Sequence, residues 1–112
     1  MLPRPHRLHR QDDIIRVVRT GQKIITPYVI IHYLRTTTPS RIACVVGKKV
    51  SPSAVIRHRY QRYLRAIAAT IYPSLSANTY DMVWVGRPSL TQVAKSTVLK
   101  DSLLPHLQKI LP

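Results

Sequence analysis

The sequence predicts an α+β domain built on one β-sheet with helices packed against it. Stretches with the helical spacing of apolar residues alternate with shorter stretches rich in Ile, Val and Tyr, which is the pattern of mixed helices and strands. Apolar types make up 45% of the 112 residues, enough to form a core. At this length we expect a single domain spanning residues 1–112.

The first half of the chain contains one short predicted helix and two or three predicted strands. The helix covers residues 11–20, where Asp12 and Asp13 in the first turn complement the helix dipole and Gly21 marks the end. β-Rich segments separated by turn signals follow. They cover residues 23–25, 28–36 and 41–47.

A longer helix is predicted in the middle of the chain. Ser51 is a good N-cap and Pro52 suits the first helical position. The helix has room to run to about Ile71 or Tyr72, where Pro73 discourages further turns.

The last third predicts a strand and a helical region. The strand covers residues 80–85, a turn follows at 86–89, and residues 90–111 have helical apolar spacing. Pro105 lies inside that region and cannot donate the helical hydrogen bond, so we expect a kink or a break there.

The middle helix has one apolar face and one cationic face. A helical wheel places Ile56, Tyr60, Tyr63, Leu64, Ile67 and Ile71 together. His58, Arg62 and Arg65 fall opposite them, and Arg57 and Arg59 flank the apolar face. The helix is therefore expected to bury one side and to present the other.

No acidic residue balances this cationic face anywhere between Gly47 and Tyr80. An ordinary solvated helix mixes charge signs, and a face that only confers solubility does not need a single sign. Arginine binds phosphate through two parallel hydrogen bonds and stacks on bases. The pattern therefore favours a nucleic-acid surface over a merely soluble basic face.

The composition of the whole chain points to the same partner. The net charge is +14, from 18 Lys and Arg against four Asp and no Glu, and such an excess favours polyanions through counterion release. Residues 1–10 combine Arg and His with two prolines, which predicts a flexible basic arm that orders only on RNA. No apolar run is long enough to cross a membrane, and the single cysteine, Cys44, fits a reducing cytoplasm and a buried strand position.

The chain shows no catalytic site of its own. Metal-dependent cleavage of RNA needs several acids close together, and here only Asp12 and Asp13 are neighbours. The five histidines lack the spacing of a zinc site, apart from His6 and His9 in the arm. If the protein belongs to an enzyme, its chemistry is expected in a partner.

The motif around the middle helix resembles the signature of the bacterial ribonuclease P protein subunit. That motif is Lys48-Lys49-Val50, a linker, and then Arg57-x-Arg59-x-x-Arg62-x-x-Arg65. His58 stands where the family usually has Asn, and Gln61 stands where a basic residue is common. Arg87-Pro88 after the last strand matches the family as well.

The resemblance implies an αβββαβα two-layer sandwich with a left-handed β-α-β crossover. It also implies a function: the RNA subunit of ribonuclease P, with RNA-bound Mg²⁺, cleaves the 5′ leader from precursor tRNA, and the protein binds both RNAs. We expect the protein itself to bind no metal, to have no membrane association and to need no obligate protein partner.

The resemblance implies roles for two sets of residues. The RNA-binding set is Lys48, Lys49, Arg57, His58, Arg59, Arg62 and Arg65. The set lining the leader-binding cleft is Ile14, Val18, Tyr28, Ile30 and His32, the last three sharing one face if the strand alternates from residue 28. Because the chain has no Phe, we expect leader contacts with less base stacking.

Two other functions remain as alternatives. A ribosomal or other structural RNA-binding protein has a similar composition, and only the motif at residues 48–65 with the strand ending at 85–89 separates the two. A free-standing nuclease is disfavoured by the missing acids and metal ligands.

Overall fold

The structure is a computed structural model, and it describes residues 7–8, 10–37, 39–75 and 79–110. Its helices and strands follow the predicted αβββαβα order, and the α+β class is confirmed. They are α1 (Gln11–Thr20), β1 (Gln22–Ile25), β2 (Val29–Arg35), β3 (Arg41–Val45), α2 (Ala54–Ile71), β4 (Tyr80–Gly86) and α3 (Ser96–Leu107). Short 3₁₀ helices at Tyr72–Leu75 and Pro88–Gln92 flank β4.

The four strands form one mixed sheet in the order β1-β2-β4-β3. β2 pairs antiparallel with both β1 and β4, whereas β3 and β4 are parallel. The chain passes from β3 through α2 to β4, so α2 is the crossover helix between two parallel neighbours.

Side chains from the two faces of the sheet enter two separate cores, because successive strand residues point to opposite sides. On one face, Ile31, Met82 and Trp84 form the main core with the apolar residues of α2 and α3. On the other face, Val83 and Ala43 meet Val17 of α1 in a smaller core. Helices therefore cover both faces, with α1 lying over β2 and β4.

α2 begins two residues later than the sequence pattern predicts, so the predicted N-cap at Ser51 and the first helical position at Pro52 are wrong. The cap is Ser53, whose hydroxyl accepts a hydrogen bond from the Ile56 N–H at 3.4 Å. Ser51 caps a turn before the helix, accepting from the Ser53 N–H at 3.1 Å. Four residues of the predicted apolar face are buried, namely Tyr60, Leu64, Ile67 and Ile71, whereas Ile56 and Tyr63 are half-buried.

α3 continues through Pro105 to Leu107, so the helix does not break at the proline. Pro105 lies within its last turn, where only a few residues remain to be disturbed by the missing N–H. The predicted helical region also contains a gap between Gln92 and Ser96, which separates the 3₁₀ helix from α3.

The end of the predicted basic arm belongs to the fold. Arg7 lies alongside Ile42 of β3 as a parallel bridge, and the Leu8 N–H donates to the Ile42 carbonyl at 3.1 Å. Leu8 is only 3% exposed within the smaller core. Arg10 is the N-cap residue of α1. These three residues differ from the expectation that the arm orders only on RNA, and the remainder of that prediction, at residues 1–6 and 9, lies outside the described residues.

Candidate RNA-binding surface

The outward face of α2 presents single-sign charge to solvent. His58, Arg59, Arg62 and Arg65 are all exposed. Lys48 and Lys49 are exposed in the turn that leads from β3 towards the helix. No ion pair involves any of these side chains within the described part of the chain. We refer to this group, with Arg57, as the arginine face.

Arg57 differs from the other members of the arginine face because it also supports the backbone. Its Nη1 donates to the carbonyls of Ser51 and Pro52, each at 3.0 Å. These bonds hold the turn against the first turn of α2. A guanidinium has five N–H donors, so the remaining ones can still contact a phosphate.

Gln61 connects α2 to the sheet. Its Nε2 donates to the Cys44 carbonyl at 3.1 Å, and β3, which contains Cys44, is an edge strand whose outer backbone lacks a full ladder partner. The amide that replaces the family's basic residue therefore has a structural contact. Burial raises the pKa of the Cys44 thiol to about 12, opposed in part by nearby Arg65, which disfavours the nucleophilic thiolate. Cys44 lies on strand β3 as the sequence predicted, but it is half-buried rather than buried.

A second candidate surface lies where α1 meets the sheet. Ile30 and His32 point to the α1 side by strand alternation, Ile14 is half-buried against the smaller core, and Val18 is 39% exposed. The adjoining edge strand β1 leaves Ile25 largely exposed. The structure thus brings four of the five predicted cleft residues to one side of the sheet.

Tyr28 does not join this cleft, contrary to the sequence prediction. β2 begins at Val29, so the alternation of strand residues does not extend back to residue 28. Its side chain packs against the main core instead. The sequence pattern missed this because it placed the start of the strand one residue early.

The surroundings of His32 disfavour the protonated form of its imidazole. This residue pairs with Lys23 of β1 on one side and Val83 of β4 on the other. Burial, and secondarily the positive charge of Lys23, lower the pKa of its imidazole. Its Nδ1 is buried without a hydrogen-bond partner among the described residues, whereas the residue as a whole is only half-buried.

Asp81 holds α1 in position over the sheet, a role that the sequence did not indicate. It is 0% exposed on β4 and accepts hydrogen bonds from Arg16 of α1 at 2.9 Å and from Arg41 of β3 at 2.8 and 3.1 Å. Arg41 also lies 3.6 Å from Asp13. A hydrophobic strand with one Asp is the only sequence signal, because both partners are far away along the chain.

Arg87 closes the opposite end of β4. Its Nη1 donates to the Thr26 carbonyl at 2.7 Å, and its backbone N–H donates to the Tyr28 carbonyl at 2.9 Å. The Arg-Pro pair recognised in the sequence therefore fastens the end of β4 to the β1–β2 connection.

The described residues contain neither a metal-binding cluster nor a membrane-crossing helix. Among the described residues, no three His, Cys, Asp or Glu side chains are grouped so that they could hold a metal ion. Asp13 and Asp81 instead face arginines. None of the described helices is long and apolar enough to cross a membrane.

Comparison with known proteins gives consistent matches over most of the chain. The family model described as "Ribonuclease P" matches residues 2–111. A "Ribonuclease P protein component" of Gluconacetobacter diazotrophicus is 33% identical over 89 residues, covering 78% of this chain and 76% of that protein. One from Pseudanabaena is 44% identical over 69 residues, which span 60% of each protein.

Solved structures match the fold at lower sequence identity. The RNase P protein of Thermotoga maritima has a TM-score of 0.81 and 21% identity, covering 95% of this chain and 98% of that one. The RNase P protein of Staphylococcus aureus has a TM-score of 0.80 and 19% identity, covering 94% of both chains. At these identities the likeness concerns the fold alone.

Proposed function

Because the chain belongs to the ribonuclease P protein family, we propose that it is the protein component of ribonuclease P and binds the RNA subunit through the arginine face. The observation that carries this proposal is the exposure of Arg59, Arg62 and Arg65 on one side of α2 with no described acid beside them. A buried opposite face fixes their orientation. Such a single-sign surface favours a polyanion through counterion release.

We also assign the 5′ leader of precursor tRNA to the cleft between α1 and the sheet. Ile14, Val18 and Ile30 offer apolar contacts there, and half-buried His32 offers an imidazole whose protonated form is disfavoured. Stacking of bases on aromatic rings contributes about 1–3 kcal/mol per base. Because none of these positions carries Phe, Tyr or Trp, we expect the leader to be bound mainly by van der Waals contacts and by electrostatic attraction.

The cleavage chemistry is assigned to the RNA subunit and to Mg²⁺ bound mainly by that RNA. The acids of the protein support this division: Asp81 is buried between two arginines and Asp13 lies beside Arg41, so neither fits a Mg²⁺ site. The protein then acts as a subunit of a tRNA 5′-maturation endoribonuclease, EC 3.1.26.5. We expect it to work in the cytoplasm without an obligate protein partner.

Reconstitution tests the proposed function directly. Precursor-tRNA cleavage at low Mg²⁺ is measured with a bacterial ribonuclease P RNA alone, with the protein alone, and with both. Only the mixture is expected to cleave efficiently at the mature 5′ end, because the protein supplies binding and the RNA supplies catalysis. If the protein adds nothing to the RNA, the proposed function fails; if the protein cleaves unaided, the assignment of catalysis fails.

The role of the arginine face is tested by its salt dependence. The double variant Arg59→Ala/Arg62→Ala should bind ribonuclease P RNA more weakly, and the slope of log affinity against log salt should fall by about one for each lost phosphate contact. The matched control is Lys95→Ala/Lys109→Ala, which removes two exposed charges elsewhere. An unchanged slope in the arginine variant would show that α2 does not contact phosphates.

A further inference from the structure

An open pocket lies at the end of the sheet, beside the connection between α1 and β1. Its volume is about 370 Å³, and the described residues lining it are Thr20, Gln22, Tyr33, Leu34, Arg35 and Tyr80. This is within the size range of small-molecule sites in proteins. The arginine face and the cleft of the proposed function use none of these residues.

Two tyrosines form the aromatic wall of the pocket. Tyr33 of β2 and Tyr80 of β4 lie diagonally on adjacent strands, since Tyr80 pairs with Arg35 and Tyr33 with Met82. Their ring centroids are 6.0 Å apart with an interplanar angle of 76°. Both are half-buried and pack against the main core, so the rings are held in place while part of each faces the pocket.

The polar groups of the pocket suit a nucleobase and its phosphate. The Tyr33 hydroxyl donates to Gln22 Oε1 at 2.7 Å, which leaves the Gln22 amide N–H groups to donate elsewhere. Arg35 is exposed, and within the described chain it forms no salt bridge. Stacking rings beside an available guanidinium are the combination that single-stranded RNA binders use on β-sheets.

We propose that this pocket binds one unpaired base of a single-stranded RNA segment, stacked on Tyr33 or Tyr80, with Arg35 on the adjacent phosphate. Strand alternation places the tyrosines on the α2 and α3 side of the sheet, whereas Leu34 of the pocket packs against the smaller core on the α1 side. None of the lining residues belongs to the leader cleft. The pocket is therefore a second single-strand site, and it rests on the proposed function only in requiring that the protein binds RNA.

An open recess with an aromatic wall suits an unpaired base better than the end of a duplex. A duplex end presents paired bases on a rigid helix, whereas an unpaired base can turn out of its strand and enter a recess. The chain carries a charge of +14, so an RNA strand is attracted to it, and the aromatic wall then holds a base where other surfaces hold only phosphates.

The test compares two ligands of equal charge on the full-length protein. One is a single-stranded RNA of about eight nucleotides, and the other is the same chain lacking its bases, each measured by fluorescence anisotropy at several salt concentrations. The wild type should prefer the base-containing RNA by about fivefold or more. The preference should drop in Tyr33→Leu and Tyr80→Leu, and should persist in Tyr63→Leu, which removes a half-buried tyrosine from α2.

Site-specific cross-linking keeps the proposal testable if a tyrosine variant does not fold. RNA carrying 4-thiouridine is irradiated with the wild-type protein and the adducts are located by mass spectrometry, with Arg35→Gln as a surface variant that spares the core. Adducts at Tyr33 or Tyr80 that diminish in Arg35→Gln support the pocket. Adducts confined to the α1 cleft, or equal affinity for both ligands, would overturn it.

The proposed function has separate readouts. Arg59→Ala/Arg62→Ala should weaken both ligands equally and leave their ratio unchanged. Failure of reconstitution with ribonuclease P RNA would remove the proposed function while the base preference of the pocket is still measured.

Discussion

At the scale of single residues, Asp81 links three parts of the molecule. Its carboxylate has no exposure and is bonded to Arg16 and Arg41, so α1, β3 and β4 meet at one charged group. A buried carboxylate is tolerated only when charge and hydrogen-bonding capacity are both matched. The smaller core alone contains few large side chains, so this network carries much of the attachment of α1.

Replacing Asp81 with Asn should lower the free energy of unfolding by about 2–3 kcal/mol, because charge-assisted bonds are lost and an amide N–H₂ is placed against two guanidiniums. Urea unfolding followed by the fluorescence of Trp84, which is fully buried, measures the change. The matched control is Asp101→Asn, an exposed position on α3, which should change stability by less than about 0.5 kcal/mol. Equal effects in both variants would contradict the role given to Asp81.

Cys44 should resist alkylation in the folded protein. Burial raises the pKa of its thiol to about 12, so at pH 8 the thiolate fraction is about 10⁻⁴, whereas an ordinary cysteine has roughly a quarter of its thiol ionised. Iodoacetamide labelling, followed by mass spectrometry, should therefore be about a thousandfold slower in buffer than in guanidinium chloride. Similar rates under both conditions would show that the thiol is accessible and ionised.

At the scale of elements, the placement of α1 depends on one close backbone contact. A Cβ atom at Gly21 would lie 2.5 Å from the Tyr33 carbonyl oxygen and 2.6 Å from the Val17 carbonyl oxygen. Both are backbone atoms that cannot move aside without shifting β2 or α1. Glycine at this position therefore lets the helix end directly against the sheet.

The variant Gly21→Ala should destabilise the protein by about 1–3 kcal/mol, because the added methyl forces the helix and strand apart. Gly47→Ala provides the control, since a Cβ there meets nothing within 4 Å, and it should be neutral or slightly stabilising. Thermal unfolding of the two variants gives the comparison. A neutral Gly21→Ala would mean that α1 is held less closely than described.

The elements were predictable where local signals were unambiguous. The two aspartates and Gly21 mark both ends of α1, and the predicted bounds agree with Gln11–Thr20. The start of α2 was displaced because Ser51 and Ser53 flank Pro52 and both suit a cap. The contacts of Asp81 could not be predicted, since its partners are separated from it by 40 and 65 residues and nothing local encodes them.

Only part of the candidate site was predictable from the sequence. The exposure of His58, Arg62 and Arg65 followed from helical periodicity alone, whereas Arg59, which that pattern places at the edge of the apolar face, is exposed as well. The backbone contacts of Arg57 depend on the turn before α2, whose conformation no periodic pattern specifies. The roles of these residues towards RNA stay predictions.

At the scale of the whole molecule, charge opposes folding and promotes binding. A net charge of +14 on 112 residues destabilises the compact state by self-repulsion. The acids that would offset it are few, and Asp13 and Asp81 are engaged within the fold. An RNA partner is therefore expected to stabilise the protein as well as to be bound by it.

Salt should affect stability and RNA binding in opposite directions. Raising NaCl from about 0.05 to 0.5 M screens repulsion between the cations of the free protein and should raise its Tm. The same change should weaken RNA binding through reduced counterion release. Melting followed by Trp84 fluorescence gives the first effect, and Arg59→Ala/Arg62→Ala should show a smaller rise. A Tm that falls with salt would contradict the repulsion argument.

The position of β4 in the sheet delays the closure of the sheet while the chain is being synthesised. This strand is last in the sequence but lies between β2 and β3 in the sheet, and its Met82, Val83 and Trp84 contribute to both cores. During synthesis, the β1–β2 hairpin can form early. Strand β3, in contrast, cannot pair with its partner strand until α2 and β4 have been made. The cationic helix is thus complete before the sheet that supports it can close, and a nascent chain that ends before Gly86 lacks a finished core.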